Sequence, residues 1–501
     1  MEFQLFSYLT MVIDVLLNPV YVLSIFSATF MGLIFGALPG LTATMGIALL
    51  LPVTFTLPKV QALGMMIGVY VGGIAGGAIS AILLNIPGTP SAVVTTLDGY
   101  PMAKKGQASQ ALGWAATASF FGGFISWVIL VSVAPQLAKF ALRFGPPEYA
   151  ALALFGLTII ASITAESMLK GIISGLIGLW LAIIGIDPMI GNLRFTFGSI
   201  NLMGGIGIMP ALIGFFAIPQ ILLSLTQKKV EMFNIKEKGK TLKIIPSLTS
   251  VWNNKINLIR SSIIGTFVGM IPAAGGNIGS FLAYDQAKRF SKKSEQFGKG
   301  SIEGIIASEA ANNGVTGGAL IPLLSLGIPG DSPTAVLLGA LMIHGLQPGP
   351  QFFTKTPELA VGLFTLALLA NIFMMLIQYY GIGIFVQILK IPLHFLAPLL
   401  VVLSVIGSYA MRNSFFDIWV TLILGLFGYL LVRGKFPMAP IVLGLVLGPM
   451  LESQIRRSLI ISGGDWSIFF TRTISVILIL LSILVIFASL KITNREKEKT
   501  K

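Results

Sequence analysis

The chain has 501 residues, 55% hydrophobic and 10% charged, with a formal net charge of +14 at pH 7. A mean hydropathy of +0.89 excludes an ordinary soluble domain, and the absence of Cys excludes disulfides, thiol catalysis and Cys-based metal sites. The basic residues cluster in loops and at the C-terminus, as the positive-inside rule requires, so no nucleic-acid partner is expected.

Residues 1–20 contain no Lys or Arg and no basic n-region. The chain is therefore expected to open with a permanent membrane segment and an external N-terminus rather than a cleaved signal peptide. Apolar runs approaching the length that crosses a bilayer, about 20 residues at about 1.5 Å each, recur at 118–133, 150–163, 171–186 and 474–490. They predict an all-α polytopic membrane protein. The alternation of a β-barrel is not seen.

Two Gly/Pro-rich cassettes interrupt this apolar sequence. The first reads Gly36-Ala-Leu-Pro39-Gly40, then Asn85-Ile-Pro87-Gly88-Thr89-Pro90-Ser91-Ala-Val. The second reads Gly269-Met-Ile-Pro272-Ala273, then Gly327-Ile-Pro329-Gly330-Asp331-Ser332-Pro333-Thr334-Ala-Val. The prolines lie 48 residues apart in the first and 57 in the second. Pro removes a backbone donor and Gly relaxes φ, so both end helices. Paired interruptions in two halves of a membrane chain point to a transporter's binding site.

Between the copies lies the most hydrophilic internal stretch, 227–260, rich in Lys and therefore expected in the cytoplasm. It divides the chain into a membrane repeat at 1–226 and another at 261–490, followed by a Lys-rich, frayed cytoplasmic tail at 491–501. Loop charge then sets relative orientation. After the first interruption the N-terminal half holds only Lys59, and its counterpart holds Lys288, Arg289, Lys292, Lys293 and Lys299. After the second, the bias reverses: Lys104 and Lys105 against Lys355. Equivalent loops on opposite sides make this an inverted repeat. Residues 261–287 are too short to cross and return, so they predict a re-entrant hairpin with its tip near Pro272–Gly276, the alternative being an ordinary kinked span. By inversion, residues 22–57 form another with its tip near Pro39-Gly40.

Interrupted helices leave unpaired N–H and C=O groups, which anions and cations satisfy. The expected substrate contacts are Pro39, Gly40, Thr42, Asn85, Pro87, Gly88, Thr89 and Ser91 from the first copy. From the second they are Gly275, Gly276, Asn277, Asn312, Asn313, Pro329, Gly330 and Ser332. In Ala307-Ser-Glu309-Ala-Ala-Asn312-Asn313-Gly, Glu309 shares a helix face with Asn312 or Asn313. A membrane carboxylate costs about 2.5–3.5 kcal/mol and needs a partner, cation or proton. Glu309 is the first candidate for ion coupling and Asp331 the second. Asp98-Gly-Tyr-Pro101 reads as a cytoplasmic turn. Arg194, Arg412 and Arg433 read as interface anchors. His344 and His394 share no metal-ligand spacing. Gly72-Gly-Ile-Ala-Gly-Gly77 allows close helix packing and lacks the Lys-Ser/Thr of a phosphate loop.

Gly36-Ala-Leu-Pro-Gly-Leu, Ala81-Ile-Leu-Leu-Asn-Ile-Pro-Gly, Asp98-Gly-Tyr-Pro-Met-Ala, Ser308-Glu-Ala-Ala-Asn-Asn313, Leu326-Gly-Ile-Pro-Gly330, Leu338-Gly-Ala-Leu and Gly349-Pro350 together resemble the TctA family, the large membrane subunit of tripartite tricarboxylate transporters. The resemblance covers about residues 20–450. The chain departs from it at Pro272-Ala273, where the family has Pro-Gly, and at Asp331, where it has a small polar residue. The resemblance implies a bacterial inner-membrane subunit with a small four-helix membrane partner (TctB-like) and a periplasmic solute-binding protein (TctC-like) that delivers an organic carboxylate such as a di- or tricarboxylate. It implies symport with Na⁺ or H⁺ and no other cofactor, with a repeat-built core moving against a scaffold, as in an elevator. A membrane-embedded enzyme is the alternative from another class; it would need a convergent nucleophile, base or metal that the sequence does not offer. A passive anion channel would need a filter motif or charge ring.

Overall fold

The computed structural model describes residues 2–163, 167–226, 245–272, 274–389, 391, 393–410 and 412–499. Ala273, most of the basic linker and the His394 side chain lie outside the described residues. The described chain is helical throughout, apart from one two-stranded hairpin. The first half contains α1 (Glu2–Leu17), α2 (Pro19–Ala37), α3 (Ala43–Thr54), α4 (Lys59–Leu84), α5 (Val93–Lys104), α6 (Ala108–Ala141), α7 (Pro146–Ile163), α8 (Met168–Ala182), the hairpin β1 (Gly185–Ile186) and β2 (Leu193–Arg194), α9 (Ile208–Leu212) and α10 (Ile218–Thr226). The second contains α11 (Leu248–Asn253), α12 (Lys255–Met270), α13 (Gly275–Phe290), α14 (Ile302–Leu326), α15 (Ser332–Ile343), α16 (Pro350–Lys355), α17 (Pro357–Ile388), α18 (Leu393–Ala410), α19 (Phe415–Arg433), α20 (Met438–Ile461), α21 (Ile468–Thr471) and α22 (Thr473–Lys499). Among these, α2, α4, α6, α17, α19 and α20 are long and apolar enough to cross a membrane. The chain is a multi-pass α-helical membrane protein.

The halves match element by element. Helices α4 and α14 have 26 and 25 residues, α5 and α15 have 12 each, and α6 and α17 have 34 and 32. The interruptions use the same backbone device in both. Leu38 and Ile271 precede prolines and are extended, with ψ of 116° and 115°, because Pro disfavours the helical region in the residue before it. Asn85 and Gly327 end the long helices in the left-handed region, with φ of 58° and 74°. At both tips the chain folds back. A Cβ on Gly279 would lie 3.6 Å from Gly265 Cα, and one on Gly46 would lie 3.1 Å from the Phe35 ring.

The two motif glycines of each copy meet. A Cβ on Gly88 would lie 2.0 Å from the Gly36 carbonyl oxygen, and one on Gly330 would lie 2.6 Å from the Gly269 carbonyl oxygen. The G-x-x-P and I-P-G motifs therefore recur together because each supplies half of one backbone contact. Cross-contacts between copies are reciprocal: α3 packs on α15, and α13 packs on α5. Reciprocity of this kind is the mark of a two-fold relation.

One sequence expectation changes. Asp98 is not in a turn but inside α5, wholly buried. Gly99 lies close against Ile82 of α4, so the Gly serves helix packing. Helix α22 runs to Lys499, into the Lys-rich tail. Helix α11 and the start of α12 fall within 245–260, the part of the linker that is described.

Outside the spans, the β1–β2 hairpin is tied to α20. Arg456 donates to both Asp187 carboxylate oxygens at 3.0 and 2.8 Å, and Arg194 donates to Glu452 at 2.7 Å. The Met189 backbone N–H and the Arg456 guanidinium hold the Asp187 pKa below its ordinary value. A lowered carboxylate pKa contributes stability that is complete above the unfolded value, about 3.9, and fades as pH falls through the folded one. Asp187→Asn is therefore expected to lower the melting temperature at pH 7, with a deficit that shrinks as pH approaches 3. A pH-independent deficit in detergent-solubilised protein would refute this.

Candidate functional site

A cavity of about 500 Å³ lies where all four interruptions meet. Thr42, Ala43 and Thr44 line it from the first tip, and Ala274, Gly275, Gly276, Asn277 and Ile278 from the second. Thr89, Pro90 and Ser91 come from the first post-helix break, and Asp331, Ser332 and Pro333 from the other. The far wall is Phe215, Phe216, Pro219 and Gln220 with Val432, Pro437, Met438 and Ala439. A π-helical turn, Ile213–Ala217, brings both phenylalanines to that wall.

Each interruption delivers a helix N-terminus: α3, the short 3₁₀ turn Pro90–Ala92 before α5, α13 and α15. Their partial positive charges converge on a cavity that no described Lys or Arg lines. Two of the termini are internally capped. The Thr42 hydroxyl accepts from Met45 N at 3.2 Å, and Asp331 accepts from Thr334 N at 2.9 Å. The other two, Pro90–Ala92 and α13, carry no side-chain cap. One comes from each repeat, and an uncapped helix start is the kind of backbone that can receive an anion.

Among the described residues, Asp331 is the only charged one lining the cavity. Its Oδ1 closes a capping box with Thr334, and its Oδ2 accepts from Tyr70 Oη of α4 at 2.5 Å. The helix start supplies a reason for an acid here, and Tyr70 ties it to the other repeat.

Glu309 lies away from the cavity in a buried polar chamber. Its carboxylate accepts from the Thr95 hydroxyl, from Ser119 Oγ at 3.2 Å and from Asn313 Nδ2 at 3.4 Å. Thr95 also meets Ser308 Oγ at 3.1 Å, and Asn313 Nδ2 donates to Ser119 at 2.8 Å. Thr95, Ser119, Ser308, Glu309 and Asn313 are all at most 1% exposed. Every partner of the carboxylate is a neutral donor from α5, α6 or α14 itself. Neutral donors do not cancel a buried charge, so the group requires a proton or a bound cation. Asn313, at i+4, is the neighbour that joins Glu309. Asn312, at i+3, borders the same carboxylate, and its amide also reaches the Ile74 carbonyl at 3.4 Å.

Of the expected substrate contacts, Thr42, Thr89, Ser91, Gly275, Gly276, Asn277 and Ser332 line the cavity, as does Asp331. Pro39, Gly40, Pro87, Gly88, Pro329 and Gly330 shape the backbone behind it, and Asn85 is an exposed helix cap. Asn312 sits directly behind Gly276, and Asn313 belongs to the Glu309 chamber. Arg194, Arg412 and Arg433 do not line the cavity. They pair with Glu452, Asp417 and the Tyr429 ring. The sequence did not single out Tyr70, Ser119 or the far wall. A lone phenol in a Gly-rich apolar helix was the available signal for Tyr70; the wall has none, because it comes from distant helices.

The tripartite tricarboxylate transporter TctA family profile matches residues 22–443. An uncharacterized 52.8 kDa protein in the TAR-I ttuC' 3' region of Agrobacterium vitis is 37% identical over 501 residues, covering 99% of this chain and 98% of its own. An uncharacterized protein in the TAR-II ttuC' 3' region of the same organism is 36% identical over 233 residues, 46% of this chain and 96% of its own. No solved structure matches the chain. The chain belongs to the tripartite tricarboxylate transporter TctA family, which is a family of transporters and not of enzymes.

Proposed function

We propose that this protein is the large membrane subunit of a binding-protein-dependent importer of organic di- and tricarboxylates, driven by a Na⁺ or H⁺ gradient across the bacterial inner membrane. The observation that carries this reading is the convergence of four helix N-termini on one cavity without a described basic side chain. Its volume suits a small-molecule ligand. The uncapped starts at Pro90 and Gly275 hold the carboxylates, and Glu309 carries the coupling charge. A small four-helix membrane subunit and a periplasmic solute-binding protein complete the system.

The same contacts support inverted repeats. Phe55, in the loop after the first hairpin, meets His344 at the end of α15, with ring centroids 6.2 Å apart. The equivalent loop of the other repeat meets α5, where Lys105 Nζ donates to the Lys299 carbonyl at 2.7 Å. The second junction is Lys-rich and faces the cytoplasm, which leaves the first outside. The far wall of the cavity ends at Val432 and Pro437, with Arg433 and Lys435 between them and Lys170 donating to the Gly434 carbonyl, which supports an opening on the cytoplasmic side.

The test is uptake of labelled citrate and smaller dicarboxylates by proteoliposomes holding both membrane subunits, with the binding protein outside. Uptake is expected to require the binding protein and to fall at least about tenfold when both cation gradients are collapsed. Uptake indifferent to both gradients would sink the symport reading.

A further inference from the structure

Position for position, Tyr70 of α4 corresponds to Asn312 of α14, because the I-P-G motifs that follow them at Pro87 and Pro329 are aligned. Asp331 corresponds in the same way to Thr89. In one half of the molecule Tyr70 crosses to the other repeat and donates its hydrogen to Asp331. In the other half Asn312 crosses toward Thr89 and Ser91, and the chemistry differs. Asn312 uses its amide N–H on Ile74, and its Oδ1 accepts no hydrogen bond from any described residue, although Asn312 is 1% exposed. That carbonyl oxygen points at the backbone of Gly276. A Cβ on Gly276 would lie 2.8 Å from Asn312 Oδ1 and 3.1 Å from Ser91 Oγ. Thr89 Oγ1 and Ser91 Oγ are 3.2 Å apart and both residues are buried. Two neutral oxygens from two repeats, Asn312 Oδ1 and Ser91 Oγ, thus face one corner at the cavity edge kept open by a glycine, with Thr89 Oγ1 3.2 Å from the Ser91 hydroxyl.

We propose that Asn312 Oδ1, Ser91 Oγ and Thr89 Oγ1 bind a monovalent hard cation, Na⁺, beside the carboxylate. A buried carbonyl oxygen without a donor costs about 1–3 kcal/mol and is satisfied by a cation or a donor, never by a carboxylate. Amide and hydroxyl oxygens are not protonated at physiological pH, which excludes H⁺ as the occupant. Divalent ions favour carboxylate-rich sites, and the three oxygens here are all neutral. Net charge gives the site its purpose. A cation or proton on Glu309 only cancels Glu309. A cation held by neutral oxygens has no carboxylate ligand of its own and presents its charge to an anionic substrate in a cavity whose described lining holds Asp331 and no Lys or Arg. The site assigns Asn312 to the cation and removes it from the carboxylate contacts expected of it.

This inference rests on the proposed carboxylate transport, and the experiment separates the two. Purified protein in detergent is titrated with NaCl, at constant ionic strength made up with choline chloride, and thermal stability is read with and without citrate. Wild type is expected to gain stability with Na⁺ but not K⁺, and citrate affinity should rise about 5–150-fold with Na⁺ present, with the reciprocal effect on Na⁺. Asn312→Leu and Ser91→Ala are each expected to weaken Na⁺ at least tenfold, whereas Asp187→Asn, outside the spans, retains the Na⁺-dependent shift. If Asn312→Leu does not fold, Ser91→Ala carries the test. Unchanged Na⁺ affinity in the folded variants, or no Na⁺ response in a wild type that binds citrate, overturns the inference alone. Absence of citrate binding with or without Na⁺ overturns the transport reading instead.

Discussion

Glu309→Gln is expected to yield a folded protein that binds carboxylate and no longer uses the full cation gradient to accumulate it. The carboxylate sits among Thr95, Ser119 and Asn313, all donating to it, with no cationic side chain among its described partners. A proton or cation must therefore come and go with the transport cycle, and Gln has nothing to exchange. Gln keeps the volume and one acceptor, so the helices still pack. Glu309→Ala would instead remove the shared acceptor and leave a buried void, with Ser119 losing its described acceptor at about 1–3 kcal/mol while Thr95 and Asn313 keep Ser308 and Ser119 as partners. The measurement is the steady-state accumulation ratio in proteoliposomes under separately imposed H⁺ and Na⁺ gradients. Accumulation is expected to fall by about 5–150-fold, the range of ordinary coupling energies. Wild-type dependence on both gradients would remove Glu309 from coupling.

Asp98→Ala is expected to cost about 3–5 kcal/mol of stability, the size of stranding a buried charge network. Asp98 Oδ1 accepts from the backbone N–H groups of Gly298, Gly300 and Ser301 at 2.8, 2.9 and 2.8 Å, and Oδ2 accepts from Tyr284 Oη at 2.8 Å. Positive φ at Gly298 and Gly300, 79° and 107°, turns their N–H groups toward one oxygen. The carboxylate thus pins the start of α14 to α5. Thr95 lies three residues before Asp98 on the same helix, so loosening this pin also loosens a wall of the Glu309 chamber. Asp98→Asn retains an acceptor and should lose less than half as much, and Tyr284→Phe less again. Thermal unfolding in detergent orders the three. An Asp98→Ala protein within about 1 kcal/mol of wild type would refute the assignment.

The parts of the site legible in the sequence were those that break helices. Pro39, Pro87, Pro272 and Pro329 announce interruptions because Pro and Gly act locally, whatever surrounds them. Residues just after the breaks, such as Thr42, Ser91, Gly276 and Ser332, followed from that placement. Asp98 was misread for the same reason. Asp-Gly-Tyr-Pro is turn chemistry locally, and only tertiary contacts with 298–301 show the buried carboxylate. The Glu309–Asn313 pairing follows helical periodicity, but periodicity left Asn312 and Asn313 as equal choices; the crossing of α4 and α14 gives Asn312 a further partner in the Ile74 carbonyl. Phe215, Gln220 and Met438 reach the cavity through long-range packing, for which a single sequence has no signal.

The Glu309 chamber also sets a timetable for the newborn chain. Ser119 and Asn313 are separated by 194 residues, and Thr95 and Glu309 by 214. At roughly 5–20 residues per second, the first half waits about 10–40 s after Ser119 is made before its partners exist. During that wait Thr95, Asp98 and Ser119 lack the acceptors and donors they have in the finished protein. The N-terminal half is therefore most exposed to proteolysis while α14 is still being synthesised, and a ribosome stalled before residue 313 leaves a half that cannot complete its own interior.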